Sequence, residues 1–565
     1  MSTDGPEALE RGRGRAAGSG GIHALERWVF LAPLAAASLV HLWTNLRFAV
    51  DMPYWDDYDA VLDFLNRLSS TRSLGRQLGL FLSLHNEHRL VFGRLVEAAT
   101  LHLTGGVDFA LLNLVGQLGL YLVVALVVAY GWRSLGRDEH LAAPAGIFLL
   151  AFSQNALMAK FVMASMQQYY QLLFALAALF LVTRRERRRW FPAVLLLATM
   201  SSFTGAGGLI TFAVLFLYLM LEREWRLAAV EAAYTALVFM LYFKLLIYHS
   251  SEVGTASRQM AVSRPDRYLR FVLAFLGSVG DGHYLITGIG IAVVAAIVLP
   301  LAVRRMGRDL HFPALVATLV LAVGAGAGLS RLSMGVHEAA ASRYAVYSLL
   351  LLSSVYLGLL LGTHDPGRRR CVAIAGLAIS ALLVGLWFSP ATKTLRMRAR
   401  LLDDALVYPD QARAMGILES SMKLGVFAPI PSVERRLPLS LPLDEERYYR
   451  KGYLGHLSKL VYRDGTLTVE GWAAVPPDRA PASAVFLEVN GKFYPTVYGY
   501  RRLYGQSAPL RYNARLHLLP APPDLRLSVI VVGPERSRFY RGPWWVVAAG
   551  KSARRAKGTA STSGL

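Results

Sequence analysis

The 565-residue chain is 54% hydrophobic and only 17% charged, too apolar for an ordinary water-soluble domain, so it reads as an integral membrane protein. Its net charge of +22 would suit nucleic acid, but the excess is arginine gathered at the ends of apolar runs, where it orients helices and meets anionic headgroups; no nucleic-acid partner is expected. The single cysteine, Cys371, excludes an internal disulfide and a thiolate metal site.

Residues 1–26 are rich in Gly and Arg, lack an apolar core and read as a disordered basic cytoplasmic tail. Nothing in them resembles a cleavable signal peptide. A bilayer core of about 30 Å needs roughly 20 apolar residues per helix, and about eleven runs come near that length. They fall near residues 28–50, 107–131, 141–157, 168–183, 190–203, 206–221, 227–248, 285–303, 312–329, 344–362 and 371–390. Ser201 to Gly208 reads as a tight, buried turn.

Every second loop is basic: the N-terminal tail, Arg133 with Arg137, the run Arg184 to Arg189, Arg223 with Arg226, Arg304, Arg305 and Arg308, and Arg368 to Arg370. The positive-inside rule sends these to the cytoplasm. Loops 51–106, 158–167, 249–284 and 330–343, and everything after residue 390, then lie outside. The apolar stretch Tyr268 to Val279 is short for a span; if it crosses, the later parity inverts.

In the first external loop, Val61, Phe64, Leu65 and Leu68, then Leu74, Leu78 and Phe81, recur at helical spacing on either side of Ser69-Ser70-Thr71. Two amphipathic helices follow, lying on the membrane surface or packed on the bundle. After Pro390 a partly helical, proline-marked linker, residues 391–457, leads to a strand-rich region. Asp464-Gly465 and Asn490-Gly491 fall between β-rich runs as hairpin turns require. The runs Thr466 to Ala474, Ala484 to Val489, Phe493 to Tyr500 and Leu525 to Val532 predict a β-sandwich over 458–550, with a disordered tail at 551–565. The expected fold is a polytopic α-helical membrane protein with an extracytoplasmic β-sandwich at its C-terminus.

Chemistry concentrates in the first external loop. Asp56 and Asp57 are adjacent, so they point in different directions and suit different jobs: one as general base, the other on a metal, a sugar hydroxyl or an arginine. Asp59 adds to either. Alternatively the aspartates cap the following helix. His85, Asn86, Glu87, His88 and Arg89 place two histidines three residues apart, on one helical face if the segment is helical, with a carboxylate and a guanidinium beside them. The order does not match the His-Glu-x-x-His zinc pattern; the groups suit an anionic, hydroxyl-rich substrate, or form a solvated cluster at a helix start.

A second polar group is expected outside at Arg331, His337, Glu338, Arg343 and Tyr344. Its arginines suit bidentate phosphate contact or snorkel to headgroups. Gln167, Gln168, Tyr169 and Tyr170 are hydroxyl-binding groups or an interfacial belt. Trp472, Tyr494, Tyr498, Tyr500 and Tyr504 stack on sugar rings or pack the sandwich, and core is the expectation for Trp472.

On these features the chain resembles the GT-C class of membrane glycosyltransferases. Those enzymes lead from a first helix straight into an acidic external loop with surface-lying helices, have about a dozen spans and often carry an external C-terminal domain. Trp55-Asp56-Asp57-Tyr58 stands where the acidic motif stands. The resemblance implies a catalytic base at Asp57 or Asp56, a polyprenyl-phosphate sugar donor, a glycan, lipid or protein acceptor, and action at the outer face of a bacterial cytoplasmic membrane. A divalent cation, magnesium or manganese, at Asp56 and Asp57 stays open. So do two other classes: a polymerase, ligase or translocator of envelope polysaccharide, and a non-enzymatic glycan-binding scaffold.

Overall fold

The computed structural model describes residues 7–47, 51, 53, 56–151, 162–246, 248, 252–280, 283–306 and 310–400, then 417, 420–421, 423–427, 449–451, 454–463, 465–475, 482, 484–490, 492–500, 511–517, 523–532, 539–548 and 554–555. Two compact units emerge: Met1–Ala49 with Arg67–Leu395, and Val50–Asn66 with Arg396–Leu565.

The first unit is helical. Seven helices among the described residues are long and apolar enough to cross a membrane: Leu25–Arg47, Phe109–Leu149, Val162–Val182, Trp225–Lys244, His311–Met334, Ala345–Gly362 and Pro366–Leu386. Three more of the expected runs form shorter helical pieces, Arg187–Ser202, Ala206–Leu221 and Tyr284–Ile297. The segment Phe109–Leu149 holds both members of the expected pair 107–131 and 141–157: the chain leaves helical geometry at Gly136 (φ +60°) and doubles back, so that a methyl at Gly131 would meet Ala142 at 2.6 Å and one at Gly146 would meet Val128 at 2.9 Å; residues 152–161 lie outside the description. The helix Phe109–Leu135 starts where Asp108 accepts from the amides of Ala110 and Leu111, at 2.8 and 3.0 Å, satisfying donors that the first turn leaves open. The first helix runs Glu7–Arg47 and so includes much of the expected disordered tail. Extending an existing helix costs far less than nucleating one.

The basic loops meet at one end of this unit. Arg370 pairs with Glu26 at 2.8 Å, Arg369 with Asp138 at 2.9 Å and Arg27 with Glu139 at 3.8 Å. Arg187 holds Glu222 and Glu224 at 3.0 and 3.2 Å, and His311 lies 3.8 Å from Glu222. Arg133 over the Phe180 ring (5.9 Å) and Tyr130 against Phe312 (4.5 Å) join the two networks. Helices starting in these loops deliver Phe203, Leu246 and Arg331 to the opposite end. The short stretch at Tyr268 is the 12-residue helix Pro265–Leu276, about 18 Å long at 1.5 Å per residue, too short to span. It packs on the last turns of His311–Arg331: the Tyr268 hydroxyl donates to Ala325 O at 3.0 Å, and Phe275 lies 5.1 Å from Tyr344.

Both halves of the amphipathic stripe are helical, and the buried Phe64 and Leu65 fall in the second unit. Phe64–Ser70 is a helix with Phe64 and Leu65 buried, whereas Leu74–Leu82 leaves Leu74 and Leu78 exposed at 82% and 61%. After it a small hairpin pairs β1 (Leu84–His85) with β2 (His88–Arg89).

In the second unit the strands are β3 (Tyr449–Lys451), β4 (Leu454–Arg463), β5 (Thr466–Ala474), β6 (Ala484–Val489), β7 (Lys492–Pro495), β8 (Val497–Tyr500), β9 (Arg511–His517), β10 (Asp524–Val532), β11 (Phe539–Arg541), β12 (Trp545–Ala548) and β13 (Arg554–Arg555). One sheet runs β4-β5-β9-β8; the other centres on β10, flanked by β6 with β7 on one side and by β11 with β3 and β12 with β13 on the other. Leu467, Val469, Tyr512 and Ala514 of the first sheet share a single core with Val485, Leu487, Leu527 and Val529 of the second, as alternation along each strand dictates. The registers Arg463↔Thr466 and Val489↔Lys492 leave two residues at each expected hairpin, and Gly465 and Asn490 have positive φ, which such turns require; Asp464 and Gly491 lie outside the description.

Two expectations change here. The run Phe493 to Tyr500 is two strands in different sheets, because Pro495 has no amide to continue a ladder and Thr496 turns inward to donate to Val485 O at 2.7 Å. Trp472 is half-buried and stands on the face of β5 opposite Leu467, Val469 and Ala473, so period-two alternation removes it from the core. Tyr494 lies in β7, Tyr498 and Tyr500 lie in β8, and Tyr504 is outside the described residues.

Candidate functional site

The segment His85 to Arg89 is a hairpin, not a helix. His85 and His88 are direct cross-strand partners, and Asn86 reverses the chain at φ +51°, a left-handed conformation that Asn tolerates better than most residues. Two buried arginines clamp the hairpin. Arg89, fully buried, donates to Leu82 O, to Tyr242 O at 2.8 Å and to Leu246 O at 2.9 Å, closing the end of the π-helical turn Met240–Leu245. Arg94 donates to the carbonyls of Leu80, Phe81 and Ser83 at 2.8, 3.0 and 2.6 Å, capping Leu74–Leu82. A guanidinium suits this because it offers several fixed donors and no acceptor. Arg89 therefore serves as an anchor for the loop it was expected to equip for substrate.

His88 takes a different partner. Its Nδ1 accepts the amide of Ala206 at 3.2 Å, which requires a neutral ring carrying its proton on Nε2. Burial, then the charges of Arg331, His85 and Arg343, push its pKa down to about 3, so the imidazole is neutral near pH 7 and offers one N–H donor.

The Ala206 amide is presented by the turn between Arg187–Ser202 and Ile210–Leu221, the tight buried turn expected from its glycines. Val91 N donates to Phe203 O at 2.8 Å, tying the turn to the helix that follows the hairpin. A methyl at Gly205 would sit 2.2 Å from Gln171 Oε1, and one at Gly208 would sit 2.2 Å from the Ser201 carbonyl. At Gly208 the obstacle is backbone, so glycine is required there; at Gly205 it is the end of a side chain.

Gln167 and Gln168 lie buried in the π-helical turn Met166–Tyr170, next to Gln171; π-turns recur at functional sites. The Tyr347 hydroxyl donates to Gln168 Oε1 at 2.8 Å and accepts from Gln171 Nε2 at 3.0 Å. Tyr169 and Tyr170 are buried, with Tyr170 donating to Val115 O at 2.8 Å, so neither forms an interfacial belt.

One turn before Tyr347 stands Arg343, paired with Glu338 and stacked 4.9 Å from the Tyr344 ring. Glu338 and His337 belong to a short 3-10 strap, Val336–Ala340, entered through Gly335 at φ +104°. Arg331, where the strap's loop begins, lies 3.7 Å from buried Glu87, the residue before His88.

These contacts close on themselves: His88 to Ala206, the glycine turn to Gln171, Gln171 to Tyr347, Tyr347 by one helical turn to Arg343, Arg343 to Glu338, and the strap's loop through Arg331 to Glu87 and back to His88. The structure thus brings together His88, Glu87, Gln167, Gln168, Arg331, Glu338 and Arg343, with His85, Asn86, His337 and Tyr344 at the margin. Gln171, Ala206 and Tyr347 were missed. Gln171 and Tyr347 had a signal: each lies four residues past a flagged residue, Gln167 and Arg343, and so on the same helical face.

The aspartates belong to the second unit. Asp57 is fully buried at the start of the π-helical turn Tyr58–Asp63, and its side chain makes no capping hydrogen bond; Asp56 and Asp59 are half-buried. The capping is done by backbone, the amides of Asp59 and Ala60 donating to Asp56 O at 3.1 and 2.7 Å. Tyr58, Val61, Leu62, Phe64 and Leu65 are buried around them, and Asn66 Nδ2 donates to Ile417 O at 3.1 Å. Tyr54 and Trp55 lie outside the described residues. Among the described residues no group of three or more His, Cys, Asp or Glu side chains is placed to hold a metal ion. No protein-family model, curated protein or solved structure matches this chain.

Proposed function

We propose that the protein is a membrane glycosyltransferase of the GT-C type, moving a sugar from a polyprenyl-phosphate donor to a glycan, lipid or protein acceptor at the outer face of a bacterial cytoplasmic membrane. In this reading the chain crosses about eleven times, starts inside, and carries its two-sheet region outside as a β-sandwich. The observation that carries the proposal is the closed polar circuit at the end of the helical unit opposite the basic loops. It joins two arginines, a neutral histidine donor, the Ala206 amide and the buried glutamines of one helix.

Such a set fits a phosphate attached to a hydroxyl-rich group. Guanidiniums aimed at a phosphate stabilise the charge that develops on it as the bond to the sugar breaks. A carboxylate, Asp57 or Asp56, takes the acceptor's hydroxyl proton as that oxygen attacks the anomeric carbon, and a single displacement inverts the centre. Asp57 is the stronger candidate for the base, since its side chain is fully buried at the start of the π-helical turn whereas Asp56 is half-buried.

The test compares envelope glycans and lipid-linked sugars in cells carrying wild-type protein, no protein, or the Asp56→Ala, Asp57→Ala double variant at matched abundance. The expected result is that the double variant matches the deletion, losing one sugar linkage while the lipid-linked donor accumulates. A double variant that behaves as wild type where the deletion is defective sinks the transferase reading and favours a translocator or a scaffold.

A further inference from the structure

We propose that the circuit binds a phosphate group between Arg331 and Arg343, with His88 Nε2–H as a third donor, and that Glu338 is an internal stand-in for that phosphate. The inference deepens the function proposed above and rests on it only in taking the anion to be a phosphate.

The arginines of this end divide into two kinds. Arg89 and Arg94 are buried and committed to backbone carbonyls. Arg343 instead meets a carboxylate only five residues earlier in its own loop, and both side chains are partly exposed, 34% for Arg343 and 17% for Glu338. A carboxylate oxygen on a guanidinium occupies the position that a phosphate oxygen takes in the same kind of contact.

Glu338 is also placed to leave. In the strap Val336–Ala340, Ala339 is buried and anchors the backbone, while Glu338 is half-buried and can open the pair by rotating its own side chain. The exchange therefore needs no rearrangement of helices. Arg331 needs no release: at 3.7 Å from Glu87 it forms an ion pair beyond hydrogen-bond distance, which leaves its planar fork available for a second phosphate oxygen. His88 completes the set differently. Because Ala206 holds Nδ1 as an acceptor, the Nε2–H is a fixed donor that adds a hydrogen bond without adding a third positive charge.

The experiment uses the full chain in lipid nanodiscs and measures binding by calorimetry of two probes, inorganic phosphate and a short-chain prenyl phosphate, with the corresponding prenyl alcohol as the control. Removing the competing carboxylate in Glu338→Gln is expected to tighten phosphate binding by about tenfold, equivalent to ~1.4 kcal/mol. Arg343→Ala is expected to weaken it by at least as much, and Arg343→Lys, which keeps the charge but loses the fork, to fall between.

Binding of the prenyl phosphate alone identifies a lipid headgroup as the source, and binding of both probes a site for phosphate itself; either supports the site. If Glu338→Gln binds no tighter than wild type while Arg343→Ala still loses binding, the stand-in role is overturned. If Arg343→Ala and Arg343→Lys both bind as wild type does, the site is overturned. Loss of phosphate binding in Arg343→Ala with unchanged envelope glycans overturns the transferase reading and leaves the phosphate site standing.

Discussion

At His88 a single proton decides what the site can do. The ring accepts from Ala206 and lies near Arg331 and Arg343, so its pKa falls to about 3, against about 6.5 in an unfolded chain. Between those values the unfolded chain binds a proton that the folded chain refuses, so acid favours unfolding. The stabilisation is fully present above pH 6.5 and is lost as the pH falls toward 3. Thermal unfolding of the detergent-solubilised protein should therefore show a melting temperature that drops on acidification from pH 7 to 4.5. His88→Gln, which keeps an acceptor for the Ala206 amide but does not titrate, should flatten part of that drop. An identical acid limb in the two proteins would mean that His88 does not carry this charge penalty. The same residue shows a limit of sequence reading. Two histidines three apart suit one helical face, yet Asn86 at φ +51° and the clamps of Arg89 and Arg94 select a hairpin, and two of the carbonyls that hold Arg89, those of Tyr242 and Leu246, lie 153 and 157 residues away, beyond what the segment itself can show.

Among the elements, the glycine turn after Ser202 has the tightest tolerance in the circuit. A methyl at Gly208 meets backbone, the Ser201 carbonyl at 2.2 Å, so the chain itself must shift; at Gly205 the obstacle is the end of the Gln171 side chain, which has more freedom to move. Gly208→Ala is expected to cost about 1–3 kcal/mol, the usual range for overpacking, and Gly205→Ala less, with the melting temperatures of the two variants as the measurement. Equal, negligible losses would show that the turn is not held this closely. The turn was legible as a turn, because a run of Ser, Thr and Gly between apolar segments has few other uses. Its partners were not: the Ala206 amide reaches a histidine 118 residues away. The strands were legible by alternation, and the exception at Pro495 follows from chemistry visible in the sequence, a missing N–H in a run otherwise suited to one strand.

For the whole molecule, the ion pairs gather the basic loops at one end of the helical unit and the polar circuit at the other. With Cys371 replaced by Ser, a cysteine at exposed His364 marks the basic end and one at exposed Ser73 marks the first loop. If the positive-inside rule sets the orientation, a membrane-impermeant maleimide should label Ser73→Cys in intact cells and His364→Cys only after permeabilisation. The reverse pattern would turn the protein over and place the circuit in the cytoplasm. The same scale holds the largest departure from the linear reading. The first loop divides between two compact units, its acidic start folding with the C-terminal region and its hairpin with the helices.

By itself the sequence determined the membrane character, the alternation of basic and polar loops, the helical stripes on either side of Ser69 to Thr71 and the two-residue hairpins of the C-terminal sheets. All of these depend on composition or on periods of two to four residues, which neighbours along the chain impose. Only the tertiary structure decided which polar residues meet. Arg89 and Arg331 both looked like ligands for an anion, but one is buried against three carbonyls and the other lies partly exposed beside Glu87. That difference arises because buried backbone groups must find partners, and which ones lack them depends on how helices far apart in sequence end beside one another.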